Sequence, residues 1–182
     1  MAVYRGYVKV AHSTYDEWKS KTINNSYDVD FAFGFQCWDY VALLYWQYGL
    51  TLVTKVGGGS AKDCWLRSKN ANAKSPFIAV EGVQNIKRGD IIVTGGSSTG
   101  HICFADQDYS QRNTAKNSLQ CLGQNQGKSY VRVSDVSLNN FLGIFRNTKW
   151  TSEGGGGGGS VTTEDKTKRK FPWPVAWQHW NY

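Results

Sequence analysis

Two kinds of side chain in this sequence could carry covalent chemistry: four cysteines (Cys37, Cys64, Cys103 and Cys121) and three histidines (His12, His101 and His179). A cysteine attacks only as its thiolate. The thiol pKa falls at a helix N-terminus, where unpaired backbone N–H groups favour negative charge, and beside a histidine. Cys103 lies in the apolar run 102–105 and Cys121 beside Leu119 and Leu122, which suits small buried hydrophobes. Cys37 instead begins a stretch in which Cys37, Val41, Leu44, Tyr45 and Tyr48 recur at helical spacing before Gly49, so the spacing predicts Cys37 at the N-terminal end of a helix. His12 precedes the first expected helix and His179 lies in the C-terminal tail. His101 follows the stretch GGSSTG and opens an apolar strand, a position suited to a general base. Such a base is oriented by a third polar side chain. Asn125, in LGQNQG, has the best context for that role, with Gln124 and Gln126 as alternatives. The competing reading is a structural cysteine and a surface histidine.

A second cluster consists of carboxylates. Hard cations such as Ca²⁺ select oxygen ligands, and carboxylates at alternate positions of a loop can point them inward. Asp28 and Asp30, in NNSYDVDFAFGF, have that spacing. The competing reading is a solvated acidic loop.

The elements that must position these groups follow from punctuation and periodicity. Thr14 with Glu17 three residues on predicts a capped helix over about Tyr15–Lys21, and NNSYDVDFAFGF reads as loop. After the glycines 57–59 a short helix is expected around Ala61–Ser68. Segments Asp90–Thr94, His101–Asp106, Ser118–Gly123, Tyr130–Val136 and Phe141–Arg146 read as strands. Helices first and strands afterwards predict an α+β fold with an antiparallel sheet.

The chain has 182 residues and a net charge of +7. One domain over 1–150 is long enough to bury a core without disulfide staples. Residues 151–160, with the run Gly154–Gly159, read as a linker, and 161–182 as a basic, tryptophan-rich tail (Lys166, Lys168, Arg169, Lys170, then Phe171, Trp173, Trp177 and Trp180). The positive charge favours an anionic partner, either wall polymer or a membrane surface. Nucleic acid is not expected, since no recognised motif accompanies the charge. The start of the sequence does not read as a secretory signal, and no window approaches the ~20 apolar residues that span a bilayer. Synthesis in the cytoplasm and a monomeric state are expected.

The segments GFQCWDYV, KRGDIIV, STGHICFAD and LGQNQG, in that order over about 28–145, resemble the CHAP family of cysteine, histidine-dependent amidohydrolases and peptidases. The resemblance implies a papain-like α+β fold, N-terminal helices packed on an antiparallel sheet, and an enzyme of phage endolysin type that degrades peptidoglycan. By position it implies Cys37 as nucleophile, His101 as base, Asn125 as the polar residue after the next strand, and Gln36 beside the nucleophile as a contributor to the oxyanion hole. It further implies a structural calcium site formed by Asp28, Asp30 and Asp39, with Ala32 and Gly34 supplying carbonyls. Many phage members carry a glutamate that orients the histidine, where this chain has Gly123; Asn125 or another residue must then do that work. The expected reaction is attack by Cys37 on a wall amide, with His101 protonating the leaving amine and water hydrolysing the thioester. Both an N-acetylmuramoyl-L-alanine amidase and a stem or cross-bridge endopeptidase fit. The rivals are a papain-like peptidase acting on proteins and a catalytically inactive wall-binding module.

Overall fold

The first helix begins where the sequence puts its cap. In the computed structural model, which describes residues 1–54 and 59–150, the Glu17 N–H donates to Thr14 Oγ1 at 3.1 Å and α1 runs Tyr15–Thr22. The Glu17 carboxylate reaches back to the Ser13 N–H at 2.7 Å, one residue beyond the usual box. Part of the 57–59 break, the linker, the basic tail and His179 lie outside the described residues.

The expected acidic loop holds a short strand. Residues Ser26–Asp28 form β2, paired in parallel with β1 (Val3–Arg5). Three residues are too few to show alternation, which is why the segment reads as loop in the sequence. Helix α2 (Cys37–Gln47) follows, and Gly49, at φ +70°, ends it in the left-handed conformation that glycine adopts without cost. Its residues Tyr40 to Tyr45 are all buried, so α2 is apolar around most of its circumference and runs through the core. The helix expected over 61–68 is two short helices, α3 (Asp63–Leu66) and α4 (Lys69–Asn72).

The remaining strands are β3 (Phe77–Val80), β4 (Ile91–Thr94), β5 (His101–Ala105), β6 (Ser118–Gly123), β7 (Arg132–Ser137) and β8 (Phe141–Asn147). They form one six-stranded antiparallel sheet in the order β3-β8-β4-β5-β6-β7. The α+β fold expected from the sequence is the fold observed, with β3 added at one edge. Successive strand side chains point to opposite faces. Ile102, Phe104 and Leu122 therefore join the helices in the main core, while Cys103, Ala105, Leu119 and Cys121 build a smaller core on the other face. All four cysteines are free, and Cys64, Cys103 and Cys121 are fully buried. Among the described residues no helix is long and apolar enough to cross a membrane.

Candidate active site

Cys37 occupies the first helical position of α2, one residue after the N-cap Gln36. Asp39 fixes this turn from below: its Oδ2 accepts from the Gln36 N–H at 2.7 Å and its Oδ1 from the Val29 N–H at 3.0 Å. One carboxylate thus ties the start of the helix to the loop after β2.

The Cys37 thiol is pushed up from its ordinary value, opposite to the direction expected of a helix N-terminus. Burial is the largest cause, and backbone hydrogen bonds from Ile102, Trp38 and Cys37 itself offset it only in part. The dipole favours the thiolate, but the sulfur has left water, and desolvation opposes charge more strongly.

Cys37 and His101 line one cleft of about 790 Å³, together with Gln36, Trp38 and Asn125. Among the described residues no hydrogen bond joins the thiol to the imidazole. Ile102 faces α2, so His101 and Cys103 take the other face and the His101 ring reaches the cleft from the end of β5. Burial acts to lower the His101 pKa, contact with the Cys103 thiol acts to raise it, and the net direction is upward.

Three consecutive amides after β6 make three different sets of contacts, the first two meeting at Gln36. Gln124, fully buried, accepts from the Tyr27 N–H at 2.7 Å and donates to the carbonyls of Tyr27 (2.6 Å) and Gln36 (2.9 Å). Asn125 Nδ2 donates to Gln36 Oε1 at 3.1 Å, while Gln36 Nε2 donates to the Phe33 carbonyl at 2.5 Å. Gln126 Nε2 lies 3.0 Å from His101 Nε2, and Ser134 Oγ donates to Gln126 Oε1 at 2.6 Å. The first choice for orienting His101, Asn125, is therefore engaged with Gln36, and the alternative Gln126 is the residue on the ring. Ser134 went unrecognised in the sequence. Its signal is register, since Ser134 pairs with Cys121 and so shares the face of Cys103 and His101.

The carboxylates Asp28, Asp30 and Asp39 converge, each offering an oxygen within 4.8 Å of the others. Asp28 is 3% exposed and its Oδ1 has no hydrogen-bond partner, while Arg5 Nη1 stands 4.0 Å from Oδ2. Burial first, then repulsion from Asp30 and Asp28, pushes Asp39 up to about 7, against the hydrogen bonds it accepts. An orphaned buried oxygen within three mutually repelling carboxylates is a donor set that fits a hard divalent cation. Ala32 and Gly34 lie in the same loop, in which Phe31, Phe33 and Gly34 all have positive φ (61°, 61° and 69°). Left-handed backbone at two phenylalanines costs of order 1–3 kcal/mol each.

No protein-family model matches the chain. Over 119 residues the chain is 33% identical to the D-alanyl-L-alanine endopeptidase of Streptococcus phage B30, an overlap of 63% of this chain and 25% of that protein. The chain therefore spans about a quarter of that relative's length. Among solved structures, that of the endolysin LysIME-EF1 superposes with a TM-score of 0.55 at 17% identity, over 75% of this chain and 65% of that one, a likeness of fold.

Proposed function

We propose that this chain is a phage-type peptidoglycan hydrolase that cuts a wall amide, with Cys37 as nucleophile and His101 as base. The observation that carries the reading is the convergence of the first turn of α2 and the start of β5 on one cleft. A cysteine at a helix N-terminus and a histidine at a strand end both line it. The relative from phage B30 supports wall amides as the substrate class, and its activity as a D-alanyl-L-alanine endopeptidase favours an endopeptidase over an amidase.

Because burial raises the Cys37 thiol, attack is coupled to proton transfer rather than starting from a standing thiolate. The S–H proton passes to His101 as sulfur bonds the carbonyl carbon. The tetrahedral oxyanion is met by the Cys37 N–H and by the second amide hydrogen of Gln36, whose first is spent on Phe33. His101 then gives its proton to the leaving amine, and water, deprotonated by the freed imidazole, releases the acyl group.

In this reading Asp28, Asp30 and Asp39, with carbonyls of Ala32 and Gly34, hold calcium. A cation held there would neutralise the three carboxylates, and Asp39, which already bonds the Val29 and Gln36 N–H groups, would carry that effect to the turn that presents Cys37. The positive chain draws the enzyme to anionic wall polymer.

The test is clearing of purified Gram-positive walls by wild type and Cys37→Ala, with mass spectrometry of released fragments. Loss of clearing in the variant is expected, with new amino termini identifying the bond. Equal clearing by both, or none by either across a broad wall panel, rejects the reading.

A further inference from the structure

The family that the sequence resembles often has a glutamate where this chain has Gly123, and the structure accounts for that glycine. A Cβ at position 123 would overlap the side-chain amide of Gln126 and come within 2.9 Å of Cys103 Cβ. The space a side chain at 123 would need is filled by the amide of Gln126, which meets His101 Nε2 at 3.0 Å. Gly123 and Gln126 are thus one arrangement: neither a glutamate at 123 nor any larger side chain fits while Gln126 holds its place.

We propose that Gln126, backed by Ser134, is the positioning residue of His101, so that a neutral amide relay replaces the usual carboxylate. This rests on the Cys37–His101 reading above. The relay is Ser134 Oγ to Gln126 Oε1 at 2.6 Å, then Gln126 Nε2 to His101 Nε2 at 3.0 Å. Glutamine presents a donor or an acceptor according to which way its amide is turned, and a serine hydroxyl can serve either. In the orientation recorded, the amide donates to Nε2 and the ring proton sits on Nδ1. Turned over, Gln126 Oε1 accepts the His101 Nε2–H and the Gln126 amide nitrogen donates to Ser134 Oγ, so both contacts survive with their directions reversed.

The turned orientation is the working one. When the Cys37 S–H bond breaks and Nδ1–H forms, the imidazolium has two N–H groups, and Nε2–H needs an acceptor. Gln126 Oε1 supplies one. An amide supports the cation by hydrogen bonding without a full opposing charge, so His101 returns its proton to the leaving amine more readily than a glutamate-held ring would. The titratable group that faces the ring is the Cys103 thiol, buried and held neutral well above its ordinary range, while Asp135, one residue along β7 from Ser134, projects from the other face of the strand.

The experiment is a ¹⁵N NMR titration of His101 in the full chain carrying Cys37→Ala, with wild-type Gln126, Gln126→Leu and Gln126→Glu. It reads the ring directly and needs no activity. Gln126→Glu is expected to raise the His101 midpoint by about one to three units, and Gln126→Leu to abolish the tautomer preference of the neutral ring. In the Cys37-containing chain, Gln126→Leu should lower the maximal clearing rate by about tenfold to a hundredfold, with little change in half-saturating wall concentration. Ser134→Ala gives the same signature in weaker form and stands in if Gln126→Leu does not fold. Identical His101 spectra and midpoints in all variants overturn the relay. Clearing that survives Cys37→Ala instead overturns the proposed chemistry, and the two failures are read from different measurements.

Discussion

The side chain of Gln124 bonds both backbone groups of Tyr27, accepting from its N–H at 2.7 Å and donating to its carbonyl at 2.6 Å. It treats β2 as a neighbouring strand would. The same amide nitrogen reaches the Gln36 carbonyl, so one buried residue anchors both the acidic loop and the N-cap of α2 to the end of β6.

Gln124→Ala should accordingly destabilise the fold. Each buried backbone group left without a partner costs about 1–3 kcal/mol, and a total loss of about 2–5 kcal/mol is expected. Urea unfolding followed by tryptophan fluorescence measures it. A loss below about 1 kcal/mol would mean that water replaces the amide at no cost.

Iodoacetamide should modify Cys37 alone in the native chain, because the other three thiols are fully buried. With its pKa raised above the ordinary 9.0, the alkylation rate of Cys37 should still be climbing at pH 9. Peptide mapping by mass spectrometry checks both statements, and a rate plateau below pH 9 would contradict the dominance of burial.

Calcium should raise the melting temperature, more at pH 8 than at pH 5. Asp39 stands at about 7 in the fold against an ordinary 3.8, so the folded chain holds a proton that the unfolded chain releases. That contribution to stability is complete below about pH 4 and is lost as pH rises through about 7. A cation competes with the same proton and gains as it leaves. Scanning fluorimetry in calcium and in excess chelator is the measurement; equal melting temperatures at pH 8 would exclude the site.

Gly143→Ala in β8 should destabilise without touching the site. A Cβ there would run into the ring of Trp65, which is buried against Phe145. Overpacking of this kind costs about 1–3 kcal/mol, and the melting temperature should fall while the His101 titration stays in place.

Much of this arrangement is legible in the sequence because it rests on local rules. The Thr14 cap, the Gly49 stop and the position of Cys37 at a helix start follow from spacing, and β4, β5, β6 and β8 are found within a residue or so. β1, β2 and β3 are not legible: β1 and β2 have three residues each and carry no period, β3 lacks the unbroken β-branched run of β4, and the pairing of each is set by partners far along the chain. Within the site, the residue types around the cleft could be named, but the assignment of amides to partners could not. Asn125 and Gln126 are adjacent and chemically alike. Only the turn after β6 decides that the first meets Gln36 and the second His101. The sign of the Cys37 shift was hidden for a similar reason: helix position is local, whereas burial depends on how β5 packs over the thiol.

The amides at 124, 125 and 126 work as an ordered string: Gln124 is read by Tyr27 and the Gln36 backbone, Asn125 by the Gln36 side chain, and Gln126 by His101 and Ser134. Exchanging one loses its own contacts, as in Gln124→Ala, and leaves the other two at their addresses. Deleting or inserting a single residue between Gly123 and Gly127 would hand every amide to its neighbour's partner, so a change of length costs all three sets of contacts where a change of letter costs one. In a library of random insertions and deletions, this stretch should be a sharp gap.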